Sequence, residues 1–418
     1  MSTSKILEGI WEVHKFGGTS VANAECFLRA ASIVEEQRSA SGTKDKQICV
    51  VVSAMGGKPK VTDLLLNSVK AAADRDEEKV NSLLALVLEK HHTCIDLLDP
   101  IPEDEKSRLK TIISGDIHNI RDILKTVALM KWQATRISEL CAGHGELWSS
   151  QILAALLDHR ARSSLEAAHR GDRFVFLDAR KVIIVEEDDQ QMNNGGESGL
   201  VLWDECAGKL KQTLSEEWDA NFGGQSSSSS QLMHFVATGF IASNSQNVAT
   251  TLGRDGSDYS AAIFGRLLQS TVITIWTDVD GVLSADPRRV PDATILPDVS
   301  FNEAMELAYF GAKVIHPKTM QPAIMASPQI PIYIRNTFNS TFRGSRIFTS
   351  STTHMERDRC ICGFSTVEDI SLINVEGSGM VGVPGKVSFS YNYRVQASVN
   401  LKLLCLYCEW MFVLMPGG

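Results

Sequence analysis

Short runs rich in β-branched residues recur along the chain, at 47–52, 173–177, 182–185, 235–237, 272–276 and 330–334, with longer amphipathic segments between them. This alternation predicts an α/β fold, a three-layer αβα arrangement around a mainly parallel sheet. Between Thr62 and Leu157 helical spacing takes over, with helices predicted over 78–98 and 107–130, so this stretch reads as a helical insertion forming a lobe or lid. From Asp188 to Ser230 the chain turns polar and low in complexity, with Asn193-Asn194-Gly195-Gly196 and serines at 226–230. A flexible surface loop is expected there, since strand-type pattern resumes directly afterwards. One catalytic domain is expected over about 10–350. Strand pattern restarts at 370–375, ahead of a glycine-rich turn over 376–385, and no internal repeat is evident.

The 418 residues, 44% of them hydrophobic, leave room for a large core and exclude a disordered chain. A net charge of −9 argues against nucleic acid as a partner and draws attention to basic residues that sit beside glycines. Nine cysteines over this length form no dense framework and read as reduced thiols. Cys405 and Cys408 have the spacing of a redox pair but lie in an apolar tail without strand-helix context. That tail, 401–415, carries Lys402 and Glu409 and is shorter than the ~20 residues of a membrane helix, so no membrane role is expected. Little sequence precedes the first strand motif and it lacks a signal-peptide core, so a cytoplasmic location is expected, with a plastid open if a further N-terminal segment precedes the chain.

The densest chemistry lies at Val13-His14-Lys15-Phe16-Gly17-Gly18-Thr19-Ser20, where an apolar strand runs into a lysine, two glycines and two hydroxyls. Glycines let backbone N–H groups close around an anion, and an ammonium can follow a transferring charge, so the segment suits a phosphate. It is not a Walker A loop, whose spacing differs. Lys15 is the candidate for contact with the transferring phosphoryl group, with Gly17 and Gly18 as backbone donors. Arg254 has the side chain for a two-pronged grip on a carboxylate. Taken singly these features have plainer readings: a Gly-Gly turn, a strand-to-helix connection at 53–57, a helix-start carboxylate at Glu146, an Arg254–Asp258 structural pair, an Asp-Gly turn at 280–281.

Six segments in fixed order resemble the aspartokinase branch of the amino-acid kinase superfamily. They are Lys15 to Ser20, Ser53 to Gly57 with Val61-Thr62-Asp63, Gly145 to Ser150, Gly253 to Ser260, Trp276 to Gly281 and Gly311 to Pro317. The resemblance implies ATP-dependent phosphorylation of the side-chain carboxylate of L-aspartate, with Mg²⁺ accompanying ATP. Aspartate carboxylates ionise near pH 3.9, so the nucleophile needs no general base, and positioning with charge stabilisation should carry catalysis. By resemblance, Ser53, Thr62 and Glu146 hold the amino-acid substrate, Glu146 through its α-ammonium. Asp258 orients the lysine or the metal, and Thr277, Asp278, Arg288 and Lys313 contact the nucleotide. His316 is expected to shape the turn before Pro317, since no second histidine lies at ligand spacing. A catalytically weak binding isoform and a sister kinase acting on glutamate or acetylglutamate are the alternatives.

The segment 372–385 resembles the opening strand and effector loop of an ACT regulatory domain, the reading given to about 360–386. The pattern stops at Lys386-Val387-Ser388, which AAG GTA AGT, a splice-donor sequence, could encode. Residues 387–418 are therefore expected to be a divergent tail outside the native fold, and any homo-oligomer to be weakened by the incomplete ACT region.

Overall fold

The computed structural model describes residues 9–40, 46–130, 135–163, 171–186, 200–223, 231–253, 255–309, 315–349 and 361–365, and the backbone of 371–374, 400–406 and 409–415. The N-terminal elements are β1 (Ile10–Phe16), α1 (Ala24–Ala40), β2 (Lys46–Val52), α2 (Val61–Ala73), α3 (Glu77–Asp96), α4 (Glu103–Met130) and α5 (Thr135–Ser163). They are followed by β3 (Arg173–Leu177), β4 (Ile184–Val185), α6 (Trp203–Phe222), β5 (Met233–Thr238), β6 (Ile241–Asn244), β7 (Ala249–Thr251), α7 (Gly256–Leu267) and β8 (Val272–Thr277). The remainder comprises β9 (Asp298–Ser300), α8 (Phe301–Tyr309), α9 (Pro317–Ile324), β10 (Ile332–Asn336), β11 (Ser345–Phe348), β12 (Ser371–Asn374), β13 (Asn400–Leu406) and β14 (Glu409–Met415).

Eight strands form the main sheet in the order β3-β5-β2-β1-β8-β10-β11-β9, parallel throughout except for the β10–β11 pair. Its central strands bury both faces, because strand side chains alternate. Ile48, Val50 and Val52 of β2 join one core with α1 to α5, whereas Cys49 and Val51 join the other with α6 to α9. This is the expected three-layer arrangement. The expected helical insertion is also present: α4 buries Leu109, Ile113, Ile117, Ile120, Leu124 and Val127, a stripe at three- and four-residue spacing that packs inward.

The expectation of a flexible loop over 188–230 is corrected in its centre. Residues 203–222 form α6, which buries Cys206, Leu210, Leu214, Trp218 and Phe222 at four-residue intervals against the sheet. The polar flanks at 187–199 and 224–230 lie outside the described residues. In the C-terminal region β12 pairs antiparallel with β14, and β14 with β13, so 400–406 and 409–415 form strands where a tail outside the fold was expected. The proposed ACT effector loop and the break at Lys386 lie outside the described residues.

Candidate active site

Parallel strands end together, and their carboxyl ends meet where the glycine-rich segments begin. Gly17 N–H donates to the Trp276 carbonyl of β8 (3.2 Å), Ser53 N–H to the Phe16 carbonyl of β1 (3.1 Å), and Gly239 N–H to the Val52 carbonyl of β2 (2.9 Å). The loops after β1, β2, β5 and β8 are thereby joined into one rim.

Lys15 sits one residue before the end of β1, with its side chain on the face covered by α7. There its Nζ lies 2.5 Å from Asp258 Oδ1 in the first turn of that helix, and both side chains are largely buried. A carboxylate in a first turn is favoured by the helix dipole, and here it also holds the ammonium at the rim. A Cβ on Gly17 would lie 3.5 Å from the same Nζ, so glycine leaves the ammonium's approach to the loop open. Gly18 answers a different need. A Cβ there would come within 2.9 Å of the Ala54 carbonyl oxygen, and one on Gly56 within 2.4 Å of the Gly18 carbonyl. The two loops run backbone to backbone, tied by Gly56 N–H to the Gly18 carbonyl (2.8 Å). α7 starts from Asp255, whose φ of 54° is left-handed, an uncommon conformation for a residue with a side chain.

On the opposite layer α5 carries Glu146 in its middle and not at its start, because Gly143 and Gly145 are interior helical positions that permit close packing. A Cβ on Gly145 would meet Ala54 Cβ at 2.7 Å and Val61 Cγ1 at 3.2 Å. Glu146 is buried, and its Oε1 accepts from Ala54 N–H (3.2 Å) while Oε2 has no hydrogen-bond partner among the described residues. Burial pushes its carboxyl up to about 8. Thr62 follows Val61 in the first turn of α2 and is half-buried.

Ser53 Oγ lies 2.9 Å from Ser257 Oγ at the start of α7. Ser257 was not singled out from the sequence, although it stands inside the 253–260 segment; its proximity to Ser53, 204 positions away, is a tertiary fact. Ser20 and Thr337 are a similar pair, their hydroxyl oxygens 2.6 Å apart across β8. Thr277 ends β8 and its hydroxyl donates to Asp278 (3.3 Å). Asp280 accepts from Asn336 (2.9 Å) and Asn339 (3.1 Å), tying the 277–281 loop to the end of β10. Arg288 is exposed and turned back on Asp286 through two side-chain bonds of 3.0 and 2.7 Å, which hold the Asp286 carboxyl down to about 2. Its side-chain bonds go to Asp286 and to none of the rim residues named above. Arg254 and Lys313 lie outside the described residues. His316 caps α9, its Nδ1 accepting from Lys318 N–H (3.2 Å), as its expected turn-shaping role requires.

Among the described residues no three His, Cys, Asp or Glu side chains gather as a metal-holding group, and no helix is long and apolar enough to cross a membrane. The sequence matches the amino acid kinase family over residues 11–214 and 225–336. It is 38% identical over 397 residues, 94% of the chain, to a chloroplastic bifunctional aspartokinase/homoserine dehydrogenase 1 of Arabidopsis thaliana, and 39% identical over 400 residues to the corresponding bifunctional enzyme of Daucus carota. The chain spans 39% of the length of each. The fold matches Escherichia coli aspartokinase III in complex with aspartate and ADP, with a TM-score of 0.69 over 97% of this chain and 79% of that one, at 22% identity.

Proposed function

Because this chain belongs to the amino acid kinase family, we propose that its strand-end rim transfers the γ-phosphoryl group of ATP to the side-chain carboxylate of L-aspartate. A carboxylate oxygen attacks the γ-phosphorus, the bond to the β–γ bridging oxygen breaks, and 4-phospho-L-aspartate and ADP leave. The observation that carries this reading is the buried Lys15 ammonium, held 2.5 Å from Asp258 beside the glycine pair. It supplies positive charge and backbone donors at one place, which phosphoryl transfer needs more than it needs a proton acceptor. The aspartokinase names of the relatives support the choice of acceptor.

In this reading the buried Glu146 receives the α-ammonium of aspartate on its unpartnered Oε2, with Thr62, Ser53 and the neighbouring Ser257 lining the same end of the rim. Arg254 takes the other carboxylate. Thr277 and Asp278 face the nucleotide, with Lys313 closing from the segment before α9. Arg288 would join them only after leaving Asp286. Mg²⁺ is ordinarily held by one or two carboxylates together with phosphate oxygens, a donor set that Asp258 and Asp278 could complete. Bound there, it would neutralise charge on the phosphates. The cytosol is the proposed location, and the chloroplastic relatives make a plastid the competing one.

Purified protein given ATP and, in turn, aspartate, glutamate and N-acetylglutamate tests the proposal. ADP release with aspartate alone is expected; release with one of the other acceptors and not with aspartate would move the chain to a sister activity.

A further inference from the structure

The glycine-rich loop after β2 is held from behind by a residue of the helical insertion. Lys90, on α3, directs its ammonium at two carbonyl oxygens, Gly56 (2.5 Å) and Pro59 (2.7 Å). Gly56 is thus bonded on both sides, its N–H to the Gly18 carbonyl and its carbonyl to Lys90. The loop is further closed by Val61 N–H on the Met55 carbonyl (3.1 Å), which starts the helix carrying Thr62. Gly57, at a φ of 86°, turns the chain so that a Cβ there would sit 3.4 Å from the Lys90 ammonium. Lys90 and Pro59 also line a cleft of about 370 Å³, together with Met55, Leu64 and Leu97.

We propose that Lys90 is a positioning residue for phosphoryl transfer: by bonding the Gly56 and Pro59 carbonyls it holds the 56–59 loop against Gly18 and so fixes the backbone donors around the transferring group. It touches no reactant itself. An ammonium suits the task because it has three donors and no acceptor, so it can bond two carbonyls on one loop at once. Partial burial lowers the Lys90 pKa, because desolvation disfavours the charged form, and the two carbonyl bonds offset part of that loss of water. Small displacements of a positioning element can change rates by up to about a hundredfold.

The inference rests on the kinase reading above, and its test has one arm independent of activity. Amide hydrogen exchange compares the parent with Lys90→Met and Lys90→Arg. In Lys90→Met the Gly56 and Val61 amides are expected to exchange at least about tenfold faster, with those of β1 and α7 unchanged. Steady-state kinetics should show kcat reduced on the order of tenfold to a hundredfold in Lys90→Met and largely restored in Lys90→Arg, with the aspartate KM within about threefold of the parent. Unchanged exchange at 56–61 in Lys90→Met would overturn the clamp whether or not the parent phosphorylates aspartate. A faster exchange with parent-level kcat would remove its bearing on catalysis, as would a loss in both variants that follows only their thermal stability. A parent without any kinase activity would sink the kinase reading while the exchange still decides the clamp.

Discussion

Lys15 and Asp258 lie 243 positions apart in sequence and 2.5 Å apart in space. The contact forms because period-2 alternation puts Lys15 on the α7 face of β1, whereas Phe16 points into the other core. Lys15→Ala is therefore expected to keep the fold while lowering kcat on the order of 10²–10³-fold, the cost of losing one preorganised transition-state contact, with a much smaller change in aspartate KM. Near-parent turnover in a folded variant would remove Lys15 from its assigned place. Glu146 gives a pH-dependent prediction. Its carboxyl, pushed up to about 8 by burial, is protonated in the unliganded protein at neutral pH, and an α-ammonium partner requires it ionised. Affinity for aspartate should accordingly rise as pH climbs toward 8 and level off above it, and Glu146→Gln should weaken aspartate binding and flatten that profile. The stability sign is opposite: the folded state holds a proton that the unfolded chain has already lost above its ordinary carboxyl pKa of 4.5, so this residue's contribution to stability falls as pH rises from there to about 8. A kcat/KM profile for aspartate and thermal melts across that range check both statements.

Elements rather than residues explain why two glycine segments are needed. Gly18 and Gly56 each occupy space that a Cβ would share with the other loop's backbone, so Gly56→Ala must push the loops apart. The expected cost is about 1–3 kcal/mol of stability, read in denaturant melts, with a fall in turnover greater than that of a Gly115→Ala control, whose Cβ meets nothing within 4 Å. If the two variants behaved alike, the close approach of the loops would be irrelevant to activity. The same scale shows what the sequence discloses. β-branched runs marked β2, β5 and β8 within a residue or two, because strands buried on both faces must be continuously apolar, and the half-buried edge strand β3 was marked by its run at 173–177. The helix α6 escaped because its five buried apolar residues stand in an otherwise polar and charged stretch between two low-complexity flanks, although their four-residue spacing is itself legible. The plain reading of Glu146 as a helix-start carboxylate is misplaced, since glycines at 143 and 145 look like a helix start and serve instead as packing positions against Ile241 and Ala54. Ser257 and Lys90 could not be ranked from sequence, because their partners come from other elements.

For the whole molecule, the sheet divides the proposed labour. Lys15 and Asp258 meet on one face, Glu146 reaches the Ala54 amide from the helical layer on the other, and the strand ends bring the two groups to a common rim. Parallel topology makes this economical: four loops that are distant in sequence open at the same edge. The central claim is that this rim makes an acyl phosphate on aspartate. Hydroxylamine in an assay with ATP and aspartate intercepts an acyl phosphate as a hydroxamate and measures this directly. The account predicts aspartyl hydroxamate formed in step with ADP, one for one, and lost in Lys15→Ala; ADP release without hydroxamate, or hydroxamate that persists undiminished in Lys15→Ala, would contradict it.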